Sequence, residues 1–194
     1  MKVKSFYICL FVFLFTDSTT AWNLASRSSG AQLQEDFSLK QYAGRWYEMY
    51  RTENIPWESG TDIQANYVLN SDHSSFKVQN KSWKPDKNNW KEGEASLEVD
   101  SWSNPAAMLI KFSRFMPAAD YSVLYTDYEN IAVVASSNAA LFGWFRKKYG
   151  WILARSTDVS EAHLNRAFDI VSKRYGLSRS DFIKTPHGVA KTEN

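Results

Sequence analysis

The feature that most constrains the fold is a long succession of short apolar–polar alternations. Successive strand residues point to opposite faces, so alternation marks a segment with one buried face. Eight such runs follow one another at roughly 45–53, 62–70, 75–82, 89–99, 107–113, 120–127, 131–137 and 148–155. Turn-forming residues separate them: Asn70-Ser71-Asp72, Pro85 to Asn89, Ser103-Asn104-Pro105, Pro117 to Asp120 and Asp127 to Asn130. Connections this short join antiparallel neighbours in an up-and-down meander. The 8 Trp, 10 Tyr and 12 Phe suit half-buried pleated surfaces.

A single helical segment follows the last run. Leu164, Ala167, Phe168, Val171 and Tyr175 form one apolar stripe. Asp158 is the expected N-cap, with Glu161 completing a capping box, and Gly176 the expected stop. A short helical turn is expected from Glu35, with Phe37, Leu39 and Tyr42 on its apolar side. Residues 22–34 read as a flexible arm, 35–185 as one domain and 186–194 as a loose tail. An all-β, eight-stranded antiparallel up-and-down barrel with one C-terminal α-helix packed outside satisfies this order, because closure removes exposed sheet edges. Sandwiches and jelly rolls also show many short strands, so periodicity alone leaves the choice open.

Residues 1–21 read as a signal peptide. Lys2 and Lys4 precede an apolar run from Phe6 to Phe15, and Thr19-Thr20-Ala21 supplies small residues for cleavage. The run is about half of what a membrane-spanning helix needs. The expected location is therefore secreted and extracellular. The only cysteine, Cys9, falls within that segment, so the mature chain would have no disulfide, thiol nucleophile or thiolate ligand. Cleavage would change the formal charge from +2 to +1, too balanced to argue for nucleic acid. His73, His163 and His187 lack metal-pair spacing, and neither a phosphate loop nor a nucleophile elbow is present. No metal, cofactor or catalytic residue is expected.

Three separated segments carry a family resemblance. Gly44-Arg45-Trp46 within Tyr42–Glu48, the turn Thr126-Asp127-Tyr128, and Arg155 closing Trp151–Arg155 are similar in identity and order to motifs of the lipocalins. Ile63–Tyr67, Phe112–Pro117 and Tyr125–Asn130 resemble the branch containing apolipoprotein D and bacterial lipocalins. Asp62 and Ser137 stand where that branch would align half-cystines. The resemblance implies a barrel closed at one end, where the Arg155 guanidinium lies over the Trp46 indole and Gly44 permits close approach. It implies structural rather than catalytic roles for these residues and for the Thr126-Asp127-Tyr128 motif, in which Asp127 and Tyr128 fix the turn.

The resemblance further implies that Tyr67, Asn80, Phe112 and Trp151 line a ligand cavity, with Tyr67 and Asn80 orienting a polar group of the ligand. Alternation agrees in part: Ala65 and Tyr67 share one face, as do Ile110, Phe112 and Arg114, while Trp151 and Leu153 share the face of Arg155. These aromatics either line an open cavity or fill a packed barrel. Asn80-Lys81-Ser82 is also a glycosylation sequon, and an asparagine facing the cavity could not carry a glycan.

The implied function is an extracellular carrier of a small hydrophobic molecule. The alternatives are a lipid-modifying or antioxidant enzyme-like lipocalin, with Met108 or Met116 as sacrificial thioethers, and a membrane- or lipoprotein-surface contact protein. For the last, alternate turns share the open end and bring together Ile55, Trp57, Phe115, Met116, Leu141, Phe142, Trp144 and Phe145. Trp83 and Trp90 flank them, with Lys84, Lys87, Lys91, Arg114, Arg146, Lys147 and Lys148 nearby. Such a rim fits a lipid interface, or it folds inward as a lid.

Overall fold

Alternation does produce strands here, and each pairs with the next because the turns between them are short. In the computed structural model, residues 31–53, 55, 58–113, 115, 117–140 and 145–190 are described. The signal segment, most of the arm, and Trp57, Arg114, Met116, Leu141, Phe142 and Trp144 lie outside them. A one-turn helix α1 (Leu39–Tyr42) leads into β1 (Gly44–Thr52), β2 (Thr61–Leu69), β3 (Ser75–Lys84), β4 (Asn89–Val99), β5 (Ala107–Lys111), β6 (Ala119–Thr126), β7 (Ile131–Ala140) and β8 (Phe145–Ala154). Helix α2 (Glu161–Tyr175) follows, then a 3-10 turn and a ninth strand, β9 (Phe182–Lys184).

Neighbouring strands pair antiparallel from β2 through β8, and β1 pairs with both β8 and β2, which closes the barrel. Closure is complete only near the α1 end, where Gly44–Tyr47 pairs with Gln64–Tyr67. Further along, β1 and β2 part, and β9 enters the gap against Tyr50–Thr52. The chain beyond it is fastened to β2. Asp62 N–H donates to Pro186 O at 2.8 Å, and the Asp62 carboxylate accepts from the N–H groups of Gly188 (2.6 Å), Val189 (3.2 Å) and Ala190 (2.9 Å). The segment read as a loose tail is therefore tied down over 186–190. One carboxylate satisfies three backbone donors that would otherwise need water. At the other terminus, Gln34 donates from its N–H to Val123 O, so the last residues of the arm also lie on the barrel.

Two apolar cores result, one on each side of the sheet. Trp46, Tyr67, Phe76, Val78, Leu97, Met108, Val123, Val134 and Leu153 fill the barrel interior. Met49, Leu124, Ile131, Val133, Ile152 and Ala154 face outward, where Leu164, Ala167, Phe168, Val171 and Tyr175 of α2 cover them. Burying each large side chain contributes roughly 1.5–3 kcal/mol. The helix begins one turn-residue choice away from the expected one. Its N-cap is Ser160, whose Oγ accepts the His163 N–H at 3.3 Å, whereas Asp158 lies outside the helix and donates its own N–H to Ser156. Gly176 ends it in the left-handed conformation, as expected.

Candidate functional site

The closed end is built around Arg155. Its guanidinium lies 3.7 Å from the Trp46 ring centroid. It donates to four carbonyls at 2.8–2.9 Å: those of Arg45, Gln41, Ala43 and Tyr128. The last strand is thereby fixed to α1, to the start of β1 and to the β6–β7 turn at once. Gly44 has a φ of 95°, and a Cβ there would stand 3.3 Å from the Arg155 Nη1, so the close approach inferred from the motif is present. In the β6–β7 turn, Asp127 accepts from the N–H groups of Asn130 (2.8 Å) and Ile131 (2.9 Å), and Thr126 Oγ1 accepts from Tyr128 N–H. Burial pushes the Asp127 carboxyl up, but these donors outweigh it and hold its pKa below the usual carboxylate value.

Above this motif the interior is filled. Tyr121 bonds through its hydroxyl to Tyr42 (2.8 Å) and to Tyr67 (2.7 Å). Tyr42 and Tyr67 meet edge to face, with Phe76 against both. Burial raises the pKa of all three phenols, that of Tyr67 to about 12. Tyr67 thus belongs to a neutral, hydrogen-bonded floor.

The next layer is different in composition. Ala65, Asn80 and Gly93 stand side by side on β2, β3 and β4. They continue the inward faces marked by Tyr67, Val78 and Ala95. These are small or short side chains, and a methyl group at Gly93 would meet no atom within 4 Å. The opposite wall carries Trp151, packed against the interior core. Its indole N–H donates to Glu58 Oε2 at 2.8 Å.

Glu58, half-buried, joins a polar cluster with the buried Glu48, Arg51 and Thr185 that sequence reasoning missed. On β1, Glu48 pairs with Leu153 and Arg51 with Trp151, with a bulge between Glu48 and Tyr50. The extra residue, Met49, turns outward to the second core, so Glu48 and Arg51 both face inward although they are three apart. Arg51 Nη1 donates to Glu48 Oε1 at 2.8 Å and to Thr185 Oγ1 at 3.2 Å, and Thr185 donates to Glu48. Glu58 reaches in from the β1–β2 loop. Lys84 holds this loop through Ser59, and Gly60, with a φ of 104°, lets it pass where a Cβ would stand 2.3 Å from Trp83 O. Burial, then the neighbouring Glu48, pushes the Glu58 pKa up to about 8, so the group holds its proton at neutral pH.

The remaining expected residues are placed less uniformly. Asn80 is half-buried on the inward face. Phe112 lies beyond the end of β5, 48% exposed, in a surface cleft of about 410 Å³ shared with Lys77, Glu94, Ala95, Ser96, Lys111 and Ser113. It is not gathered with Trp151. At the open end Ile55 and Trp83 are buried, whereas Phe115 is 82% exposed. His187 bonds the Glu48 carbonyl through Nε2. Among the described residues no cluster of three His, Cys, Asp or Glu side chains could hold a metal, and no helix is long and apolar enough to cross a membrane.

Comparison with known proteins agrees with this geometry. A family model described as a lipocalin-like domain matches residues 37–187. Apolipoprotein D of Rattus norvegicus is 43% identical over 127 residues, 64% of this chain and 64% of the relative. The match thus spans just under two thirds of that relative's length. The outer membrane lipoprotein Blc of Escherichia coli is 28% identical over 155 residues, 79% of this chain and 81% of Blc. Among solved structures, lobster apocrustacyanin A1 superposes with a TM-score of 0.65 at 23% identity, over 77% of this chain and 79% of that one, a likeness of fold. The chain belongs to the lipocalin family, and within it resembles apolipoprotein D and the bacterial lipocalins.

Proposed function

We propose that the chain is an extracellular, non-enzymatic carrier that holds a small hydrophobic molecule in the upper half of its barrel. The observation that carries this reading is the change of composition inside the barrel. A floor of interlocked Tyr42, Tyr67 and Tyr121 gives way to the small Ala65, the short Asn80 and the solvent-exposed Gly93, and a methyl added at Gly93 alone would touch nothing. Concave, mostly apolar sites with few polar groups suit small-molecule ligands. Trp151 and Asn80 then line the ligand. Tyr67 forms the base beneath it, and Phe112 lies at the side of the mouth. With Asn80 on the inward face, its sequon would stay unglycosylated. Secretion rests on the signal-like residues 1–21.

Intrinsic tryptophan fluorescence tests the reading. The mature chain is titrated with arachidonate, progesterone, retinol, a carotenoid and biliverdin. Saturable quenching is expected for at least one, and loss of that signal in Trp151→Ala. A folded protein that binds none contradicts the carrier reading.

For the rim, exposed Phe112 and Phe115 support contact with a membrane or lipoprotein surface during loading, while buried Ile55 and Trp83 act as part of a lid. Liposome co-sedimentation is expected to weaken in a Phe112→Ser/Phe115→Ser variant. Binding equal to that of the parent contradicts the contact.

A further inference from the structure

The buried cluster at the mouth implies a selection among ligands. We propose that the polar end of the ligand docks on Trp151, Glu58, Glu48 and Arg51, and that it is a hydrogen-bond donor, a hydroxyl or ammonium group, in preference to a carboxylate. The inference rests on the calyx reading and assigns the chemistry of its polar end.

The argument is one of supply and demand among hydrogen-bonding groups. Two carboxyl groups face one guanidinium in this cluster. Arg51 Nη1 is directed at Glu48 and Thr185, and Thr185 also donates to Glu48. Trp151 directs its single N–H at Glu58. Glu58 hydrogen-bonds Glu48 with the proton it retains. The other charged or titratable groups close by are Tyr67, beneath the cluster, His187, on the Glu48 carbonyl, and Lys84, bonded to Ser59 beside Glu58 and near enough to Arg51 to be repelled by it. A ligand carboxylate would be a third acid beside a single guanidinium whose Nη1 is already directed at Glu48 and Thr185, and burying unpaired charge is costly. A hydroxyl can replace the Glu58 proton as donor to Glu48. An ammonium group can pair with both carboxyls if Glu58 releases its proton.

The bulge and the loop make the arrangement a built one. Without the bulge after Glu48, Arg51 would point to the outer face. Without Gly60 and the Lys84 tether, the Glu58 loop could not lie against β3. Both features place charged groups where an apolar filling would be the simpler way to close a barrel.

The test compares oleyl alcohol, oleylamine and oleate, which share one chain and differ at the polar end. Affinities are measured by competition for a fluorescent fatty-chain probe, for parent and Glu58→Gln, at about pH 6 and about pH 9.5, on either side of the Glu58 titration. In the parent the alcohol and amine are expected to bind about tenfold or more tighter than oleate at the higher pH, with a smaller gap at the lower. In Glu58→Gln the pH dependence of the gap is expected to disappear. Calorimetry of the parent with oleylamine at neutral pH, in two buffers of different ionisation enthalpy, is expected to show release of about one proton per ligand. Oleate binding as tightly as the other two at both pH values, or amine binding without proton release, overturns the proposal and leaves the calyx standing. Binding of none of the three contradicts the calyx itself and the proposal with it.

Discussion

Arg155 shows how one side chain can hold a barrel end together. Its hydrogen bonds to five carbonyls, the longest to Tyr42, and its stacking on Trp46 require a planar, multiply donating cation. Arg155→Lys keeps the charge and loses most of the fork. A loss of about 3 kcal/mol in urea unfolding is expected, because hydrogen bonds involving a charged partner contribute roughly 1.5–3 kcal/mol each. Glu58 makes the opposite kind of contribution. Its pKa is about 8 in the fold against an ordinary 4.5, so the folded state holds a proton that the unfolded chain releases. The stabilisation from neutral Glu58 is complete below the ordinary value and is lost as pH rises toward 8. Glu58→Gln is therefore expected to flatten the stability profile between these values and to melt above the parent in alkaline buffer. A parallel profile in thermal melts across pH would contradict this. These residues differ in how far sequence exposes them. Arg155, Trp46 and Gly44 lie in recognisable motifs. Glu48 shares the face of Trp46 by simple alternation. Arg51 is hidden, because the bulge breaks the alternation that would locate it, and Glu58 sits in a loop, where no periodicity applies.

Among the elements, the eight main strands were legible because each has one face against a core and a turn at either end. The ninth was not. Phe182, Ile183 and Lys184 are too few for alternation to register, and the strand exists because β1 and β2 part and leave backbone groups to be paired. The fastening of 186–190 was equally hidden, since its partners are backbone N–H groups on one side and a single aspartate on the other. Asp62→Asn tolerates the positive φ of 53° at that position but weakens the acceptor. Hydrogen exchange at Gly188, Val189 and Ala190 is expected to accelerate about tenfold, with little change at α2. Unchanged exchange would show that β9 alone holds the segment. The helix start was misplaced by two residues, because Asp158 and Ser160 are both good caps and only the extended geometry of Ser160 decides between them. Ser160→Ala is expected to cost about 1 kcal/mol and Asp158→Ala close to nothing in thermal denaturation.

At the scale of the whole molecule, the barrel is a graded container. A cation–indole lock seals one end, a neutral tyrosine floor rests on it, and a layer of small residues lies above it, below the polar cluster of Glu48, Arg51 and Glu58. The eightfold alternation and the family motifs predict the container. They do not predict where filling stops, because that depends on side-chain volumes meeting across the barrel. Tyr67 illustrates the limit: its inward direction was readable, but its engagement with Tyr121 was not. The central claim is that the layer at Gly93 is the ligand's space. The most direct measurement is the affinity of Gly93→Phe for whichever apolar ligand quenches Trp151 in the parent, with circular dichroism to show that the barrel is intact. The account predicts a fall of about tenfold or more, as the added ring occupies the space. An intact variant that binds as tightly as the parent would place the ligand elsewhere and contradict the account.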